Sequence, residues 1–244
     1  MQTSQTITLA DAIFPRVDSR NRAASIARDI ALMVAFAAFV AVFAQIQARL
    51  PWTTVPITGQ TFAAIVTGGA LGAWRGAGAL AIYIVVGMIG VPVFTPANSI
   101  TSGAWDLHFI FPWAGNEGPI WHVTSGGYIV GFMLAAGLVG WLAERRLDRG
   151  PWVHVCMLLG AAVIYVPGLL WLGYLIESGW TAPGGTTPLN ELIAGSGTLD
   201  KTLTGGLYPF VGGDLMKVLL ASVVMPSAWM LVNRVRGREG NERR

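Results

Sequence analysis

The sequence predicts an all-α integral membrane protein with six transmembrane helices in one bundle. Hydrophobic residues account for 53% of the 244 residues and charged residues for only 12%, whereas a soluble domain has about 25% charged residues. Apolar stretches recur along the chain, and the basic residues cluster on alternate connections between them. The single cysteine, Cys156, excludes an internal disulfide, so the fold must be held by packing alone.

Six apolar stretches supply the predicted spans, because a helix needs roughly 20 apolar residues to cross a bilayer core of about 30 Å. They cover residues 30–48, 60–74, 76–91, 125–143, 152–176 and 208–233. Trp74, Arg75 and Gly76 are predicted to turn the chain tightly between the second and third spans. We expect a single domain over 1–244, with a cytoplasmic tail at 1–25, a transmembrane domain at 26–233 and a basic cytoplasmic tail at 234–244.

The basic residues fix the predicted orientation. Of the 16 Lys and Arg residues, Arg49 and Lys201 lie outside, Lys217 lies in the sixth span, and all others lie inside if the N-terminus is inside. Basic residues concentrate in the cytoplasmic loops of membrane proteins. This asymmetry therefore predicts that both termini are cytoplasmic and that the chain lies in a cytoplasmic membrane. The same topology explains the basic clusters without a nucleic-acid partner.

Two charged residues, Asp214 and Lys217, interrupt the sixth span in the stretch YPFVGGDLMK. This helix begins outside at about Tyr208, so the two residues lie about 9 Å and 14 Å along it, at 1.5 Å per residue. Charges at such depth are costly unless they are paired or solvated, and they commonly mark functional sites. Their spacing puts both on one helix face. We expect them to form part of a polar site, and an ion pair that only locks helix packing is the alternative.

Uncharged polar residues are predicted in the same outer half of the bundle. Thr58, Gln60 and Thr61 lie where the second span begins from the outside, and they offer hydrogen-bonding groups. The second, fourth and sixth spans all begin on this side. Because the N-terminal end of a helix carries a partial positive charge, the three ends together favour an anion.

The beginning of the fourth span carries small and aromatic residues in the stretch TSGGYIVGF. Thr124 or Ser125 is suited to cap the helix. Gly126 and Gly127 allow a ligand or another backbone to approach closely, and Tyr128 follows them. Tight helix packing is the alternative for the glycines, and an anchor at the membrane interface is the alternative for Tyr128.

The first span carries pairs of small residues four positions apart, Ala31 with Ala35 and Ala37 with Ala41. Such pairs let two helices approach closely in a membrane. The sequence alone leaves open whether they pack within this chain or form a docking face for another membrane subunit.

Four motifs together resemble the BioY-type biotin transporters, the substrate-binding S components of energy-coupling-factor transporters. They are VPITGQTFA at 55–63, GMIGVPVF at 87–94, SGGYIVGF at 125–132 and GGDLMK at 212–217. The resemblance covers nearly all of the hydrophobic chain. It implies a prokaryotic protein that captures biotin near the outer surface and is not an enzyme. It also implies that a transmembrane coupling subunit, joined to ATPases, docks on the first helix at Ala31 and Ala35.

The resemblance also implies the site residues. Asp214 and Lys217 match the acid and the lysine of the sixth helix, and Gln60 matches the polar position of the second. The remaining predicted biotin contacts are Tyr128, Gly126, Gly127, Thr58 and Asn98. Neither a metal nor a cofactor is expected, since biotin is the transported ligand.

The chain departs from the family pattern before the fourth span. Val123, Thr124 and Ser125 replace the usual Gly-Pro-Thr, and a long loop at 100–122 precedes them. The sequence therefore leaves open which residues cover the site. It also leaves open whether the ligand is another small anionic vitamin.

Two other classes of protein are also considered. An intramembrane serine enzyme would need Ser125, but Ser125 lacks the preceding glycine of a GxSG motif and His154 begins a span on the opposite side. A purely structural membrane subunit would leave the two charges of the sixth span less well explained. The loop residues Asp106, His108, Glu117 and His122 match no defined metal-binding spacing.

Overall fold

Helices dominate the structure, a computed structural model that describes residues 8–15, 22–96 and 105–242. Nine α-helices lie in these ranges: α1 (Leu9–Ile13), α2 (Arg22–Gln45), α3 (Gln60–Leu71), α4 (Ala73–Met88), α5 (Gly126–Ala143), α6 (Val153–Glu177), α7 (Leu189–Leu192), α8 (Thr198–Gly206) and α9 (Tyr208–Glu242). Three short strands accompany them: β1 (Gln47–Arg49), β2 (Ile57–Thr58) and β3 (Asp106–His108).

Helix α5 lies at the centre of the bundle, packed against α3, α4 and α6. Its glycines let neighbouring backbones approach closely. A Cβ atom added at Gly140 would lie 2.3 Å from the carbonyl carbon of Gly72, and one added at Gly131 would lie 2.6 Å from the carbonyl oxygen of Ile164. Small residues at such contacts drive helix association in membranes, because lipid is as apolar as the side chains that the helices would bury.

Four segments are long and apolar enough to cross a membrane: α2, α5, α6 and the α8–α9 segment Thr198–Arg236. Helices α3 and α4 are apolar but have only 12 and 16 residues, which correspond to about 18 Å and 24 Å. The fold is therefore helical and suited to a membrane, as the sequence predicts. Six crossings, and the side on which the termini lie, stay predictions.

The hairpin between α3 and α4 turns at Gly72, and the predicted turn at Trp74, Arg75 and Gly76 is wrong. Gly72 has a φ of 86°, a conformation that glycine adopts without strain. Arg75 lies instead in the first turn of α4 and is 2% exposed. The prediction fails because it takes a charged residue as the mark of an exposed turn. Arg75 is instead buried, because it pairs with acidic residues from two other helices.

The predicted N-terminal tail contains a packed helix. Helix α1 contacts α3 and α9, and its Leu9 and Ala12 are buried. Thr8 caps it, since its hydroxyl oxygen accepts a hydrogen bond from the Asp11 amide at 3.2 Å. At the other end of the chain, α9 continues to Glu242, so the predicted boundary at 233 is not the end of a helix.

An ion cluster holds α1 to the bundle, and we define it as Asp11, Arg28, Asp29 and Arg75. Arg75 donates to both carboxylate oxygens of Asp11, at 2.9 Å and 2.8 Å, and to Asp29 at 3.1 Å. Arg28 donates to Asp11 and to Asp29, each at 2.9 Å. Burial raises the pKa of Asp11, but hydrogen bonds and positive charge from Arg75 and Arg28 outweigh it and hold that pKa well below its usual range.

The connections at the end of the bundle where α3, α5 and α9 begin include a small antiparallel sheet in the order β2-β1-β3. Gln47 stands opposite Thr58 on one side and His108 on the other. The all-α prediction misses this sheet because its strands are too short for a pattern of alternating residues. Their pairing also joins segments that lie far apart in the sequence.

Candidate ligand-binding site

A cavity lies where the N-terminal turns of α3, α5 and α9 meet the middle of α6. It holds about 460 Å³ of space free of protein atoms, including its open mouth. The cavity is lined by Val55, Pro56, Thr58, Gln60, Thr61, Thr95, Ser125, Tyr128, Ile129, Phe132, Ile164, Tyr165, Phe210, Asp214 and Lys217.

The charged pair of α9 forms one polar wall of the cavity. Lys217 Nζ donates to Asp214 Oδ1 at 2.7 Å, and the Tyr165 hydroxyl donates to Asp214 Oδ2 at 2.6 Å. Asp214 is buried, and the Lys217 side chain is 17% exposed. Each carboxylate oxygen keeps a second lone pair, so Asp214 can still accept hydrogen bonds from a ligand.

Gln60 also lines the cavity, and its side-chain amide makes hydrogen bonds with three neighbours. Its Oε1 accepts hydrogen bonds from the hydroxyls of Thr58 at 3.1 Å and Thr95 at 2.9 Å. Its Nε2 donates to the Tyr83 hydroxyl at 2.9 Å, and that hydroxyl donates to the Val93 carbonyl at 3.2 Å. Because these bonds fix both ends of the amide, Gln60 presents a fixed orientation to the cavity.

Aromatic rings close the apolar sides of the cavity. The Tyr128 ring lies 6.2 Å from that of Tyr165, at 85°, and 6.4 Å from that of Phe210. The Tyr128 hydroxyl donates to the Gly206 carbonyl at 2.7 Å. Tyr128 therefore joins α8 to α5 through its hydroxyl, and its ring contributes an aromatic surface to the cavity lining.

Five predicted ligand residues meet at this cavity: Asp214, Lys217, Gln60, Tyr128 and Thr58. They come from α3, α5, α9 and the segment before α3, as expected from three helices that begin at one end of the bundle. The predicted contact Asn98 lies outside the described residues.

Gly126 and Gly127 do not line the cavity. A Cβ atom added at Gly126 would lie 2.1 Å from the Ile120 carbonyl oxygen, and one added at Gly127 would lie 2.3 Å from that of Pro167. These contacts are with backbone, so both glycines allow close packing, and their predicted contact with the ligand stays a prediction.

The predicted side-chain cap of α5 is also wrong. Ser125 occupies the cap position without a side-chain hydrogen bond to the helix and lines the cavity instead. Thr124 donates its hydroxyl to the Thr54 carbonyl at 3.2 Å, so it ties the beginning of α5 to the loop before α3.

Sequence reasoning misses two polar residues of the site, Tyr165 and Thr95. Tyr165 stands in the apolar fifth span, where a tyrosine hydroxyl far from either end needs a partner, and this signal points toward Asp214. Thr95 carries no such signal, because its contact with Gln60 depends on the path of the connection after α4.

The four acidic and histidine residues of the long loop do not form a metal site. Within the described ranges, no group of three or more His, Cys, Asp or Glu residues is arranged to hold a metal ion. Asp106 stands opposite Arg49 in the β1–β3 pair, and its charge acts on that of Arg49.

Comparisons with solved structures support the fold. The chain is similar to a protein described as the S-component for biotin from an ECF-type ABC transporter, whose crystal structure was determined at 2.1 Å. The TM-score is 0.58 with 20% sequence identity, over 87% of this chain and 92% of the other. At this identity the likeness shows that the two chains share a fold.

Comparisons with related sequences identify the family of this chain. A probable biotin transporter BioY of Pyrococcus horikoshii is 28% identical over 200 residues, which cover 81% of this chain and 94% of that protein. The biotin transporter BioY of Thermotoga maritima is 28% identical over 189 residues, which cover 78% and 88%. The sequence model of the BioY family matches residues 15–105 and 110–234. The chain therefore belongs to the BioY family.

Proposed function

We propose that this chain captures biotin from outside the cell, as the substrate-binding S component of an energy-coupling-factor transporter. The observation that carries the proposal is one cavity lined by the hydrogen-bonded group Asp214, Lys217 and Tyr165 together with Gln60 and aromatic rings. Membership of the BioY family supports biotin over another small anionic vitamin. A binding and transport role, without catalysis, accounts for these residues.

The chemistry of biotin matches what the cavity offers. Its cyclic urea has two N–H donors and one carbonyl acceptor, and its fused rings are flat-sided and apolar. Asp214 has free lone pairs for the urea N–H groups, and the Lys217 ammonium has further N–H groups for the carbonyl oxygen. The rings of Tyr128 and Phe210 suit the apolar bicycle.

A role in a larger assembly is supported by the surface of α2. Ala31 and Ala35 are exposed, beside Ile30 and Val34, which are about half-exposed, whereas the other small pair, Ala37 and Ala41, is buried. This arrangement leaves one small-residue face free for another helix. We infer that a transmembrane coupling subunit docks there and connects the chain to ATPases.

The proposed topology has six crossings of a prokaryotic cytoplasmic membrane, with both termini inside. The bias of basic residues supports it, as do the four long apolar segments. The short helices α3 and α4 form a hairpin against α5, so neighbouring helices surround their ends. In this topology the cavity lies in the outer half of the membrane.

Purified full-length protein in detergent should bind one biotin per chain and unfold at a higher temperature when biotin is present. A ligand that binds only the folded state stabilises it by about 2.7 kcal/mol at 100 times its Kd. Isothermal titration and thermal unfolding measure both effects, with the anionic vitamins pantothenate and nicotinate as competitors. If another vitamin binds and biotin does not, the ligand assignment is wrong. If no vitamin binds, the transport role is wrong.

Replacing Ala35 with Leu should leave the biotin Kd within about two-fold of the wild-type value. It should reduce assembly with the coupling subunit about ten-fold or more, because a larger side chain separates helices that meet at small residues. The control is Ala162→Leu, on the exposed face of α6, which should change neither. Co-purification with the coupling subunit and ATPases measures assembly. Equal assembly of both variants would remove α2 as the docking face.

A further inference from the structure

Two buried polar side chains on the outer sheet have no hydrogen-bond partner. Gln47 in β1 is 3% exposed, yet neither its Nε2 nor its Oε1 makes a hydrogen bond. The Nε2 atom of His108 in β3 is also buried without a partner. Buried amide and imidazole groups nearly always have partners, because leaving them unpaired is costly. Both groups therefore need a polar partner that the described residues do not provide, such as a ligand or a water.

The register of the sheet places these groups in one row that starts at the cavity. Gln47 stands opposite Thr58 in β2 and His108 in β3, and residues directly opposite each other project from the same face of a sheet. Thr58 lines the cavity. Since neighbouring strands lie about 4.8 Å apart, the row Thr58–Gln47–His108 runs about two strand spacings from the cavity, and Gln47 and His108 lie next to its lining rather than within it.

The charged residues beside this row are Arg49 and Asp106. Arg49 follows Gln47 on the same face of β1 and stands opposite Asp106, whose charge acts on that of Arg49. The Nη2 atom of Arg49 donates to the Pro96 carbonyl at 2.6 Å, and its Nε is buried without a partner. The row therefore lies beside a half-buried cation and offers N–H groups without a partner.

The inner wall of the cavity does not offer a free cation. Lys217 and Asp214 form an ion pair at 2.7 Å, so their charges compensate each other. A ligand with both a urea and a carboxylate would match its urea to this pair, because the pair offers both an acceptor and a donor. Its carboxylate, which accepts hydrogen bonds only, would be better matched to the unpaired N–H groups of the sheet.

We propose that Gln47 and His108 form a subsite for the carboxylate of the ligand, and this inference rests on the proposed function. Gln47 would donate from Nε2, and His108 would donate from Nε2 in the neutral tautomer that carries its proton there. His108 belongs to the long loop by which this chain departs from the family pattern. That loop would then select ligands by their charged end.

The test compares biotin with biotin methyl ester, which keeps the rings and the chain but has no carboxylate. Full-length protein in detergent is titrated with each ligand as wild type, His108→Leu and Gln47→Glu. We expect each variant to bind biotin about ten-fold or more weakly, because a charge-assisted hydrogen bond is lost or a negative charge is added. The Kd of the methyl ester should change by less than about two-fold.

The control variant is His108→Gln, which keeps an N–H donor and should retain more of the biotin affinity than His108→Leu. If the variants weaken both ligands equally, or neither, the groups hold only an ordered water or the loop itself, and the subsite is disproved. In that case biotin binding by the wild type still supports the proposed function. If the wild type binds neither ligand, both proposals fall. Methyl ester binding also reports whether each variant is folded.

Discussion

Replacing Asp214 with Asn should weaken biotin binding at least about ten-fold. The substitution keeps the shape of the side chain but removes the charge that would accept one of the two urea N–H groups. Hydrogen bonds to a charged group contribute about 1.5 kcal/mol or more each, and every 1.4 kcal/mol is a factor of ten in affinity. The variant also leaves the Lys217 ammonium without its carboxylate partner at 2.7 Å. Isothermal titration with biotin measures the loss.

The control for this experiment is Asp200→Asn, the same change on α8, where Asp200 is exposed and accepts a hydrogen bond from the Ser196 amide. It should leave biotin affinity within about two-fold, as expected for a surface residue away from the ligand. Biotin affinity that survives Asp214→Asn within the same range would mean that the pair only locks helix packing.

A double variant separates the stability of the pair from its binding role. Asp214→Asn with Lys217→Met should recover thermal stability relative to Asp214→Asn alone, because it removes the unpaired ammonium. It should not recover biotin affinity. Thermal unfolding without ligand and titration with biotin make the two measurements on the same preparation.

Replacing Arg75 with Gln should lower the stability of the folded chain by about 3–5 kcal/mol, the usual cost of removing one partner from a buried ion pair. Arg75 is 2% exposed and donates to Asp11 and Asp29, so the variant leaves two carboxylates with Arg28 alone. For a chain of this size, such a change corresponds to a fall of roughly 6–20 °C in Tm. Thermal unfolding in detergent measures it.

The control variant is Arg145→Gln, whose guanidinium stacks on the ring of Trp141 at 3.5 Å in a more exposed position. Its Tm should change by no more than about a third as much, because exposed charge contacts contribute about 1 kcal/mol or less. If both variants unfold at the same temperature, the ion cluster does not hold α1 to the bundle.

The pH dependence of the Arg75 variant follows from Asp11. The pKa of Asp11 in the folded chain is held well below its unfolded value, so the stability from this group is fully present above the unfolded pKa of about 4. It is lost only as the pH falls from there toward the folded pKa. The difference in Tm between wild type and Arg75→Gln should therefore be the same at pH 6 and pH 8.

The sequence predicts the helices well where a single pattern determines them. The predicted spans 125–143 and 152–176 end within a residue or two of α5 and α6, because loss of apolar character marks both ends. The prediction fails at the turn before Arg75 and in the tail before residue 26. There the deciding contacts join Asp11 to a residue 64 positions away, and no local pattern contains such a pair.

The residues of the candidate site also differ in whether the sequence alone predicts them. Asp214 and Lys217 stand out in the sequence because an acid and a base inside an apolar span are costly, and Gln60 and Tyr128 stand out through the family resemblance. Tyr165 offers only the weak signal of a hydroxyl inside an apolar span, and Thr95 offers none, because each becomes a site residue only when its segment lies against α9 or α3. Gly126 and Gly127 fit two predictions equally, and only the backbone of Ile120 and Pro167 shows their close packing.

By itself, the sequence determined that this is a helical membrane protein of the BioY type, with a charged pair in its last span. The helical membrane class and the charged pair follow from composition, periodicity and the cost of charge in lipid, and the BioY type follows from the resemblance of four motifs; all of these are read from local stretches of the chain. The tertiary structure alone decided that Arg75 is buried, that the glycines before Tyr128 pack against backbone, and that Gln47 and His108 share a sheet face with Thr58. Each of these depends on distances between residues far apart in the chain, and such distances exist only after folding.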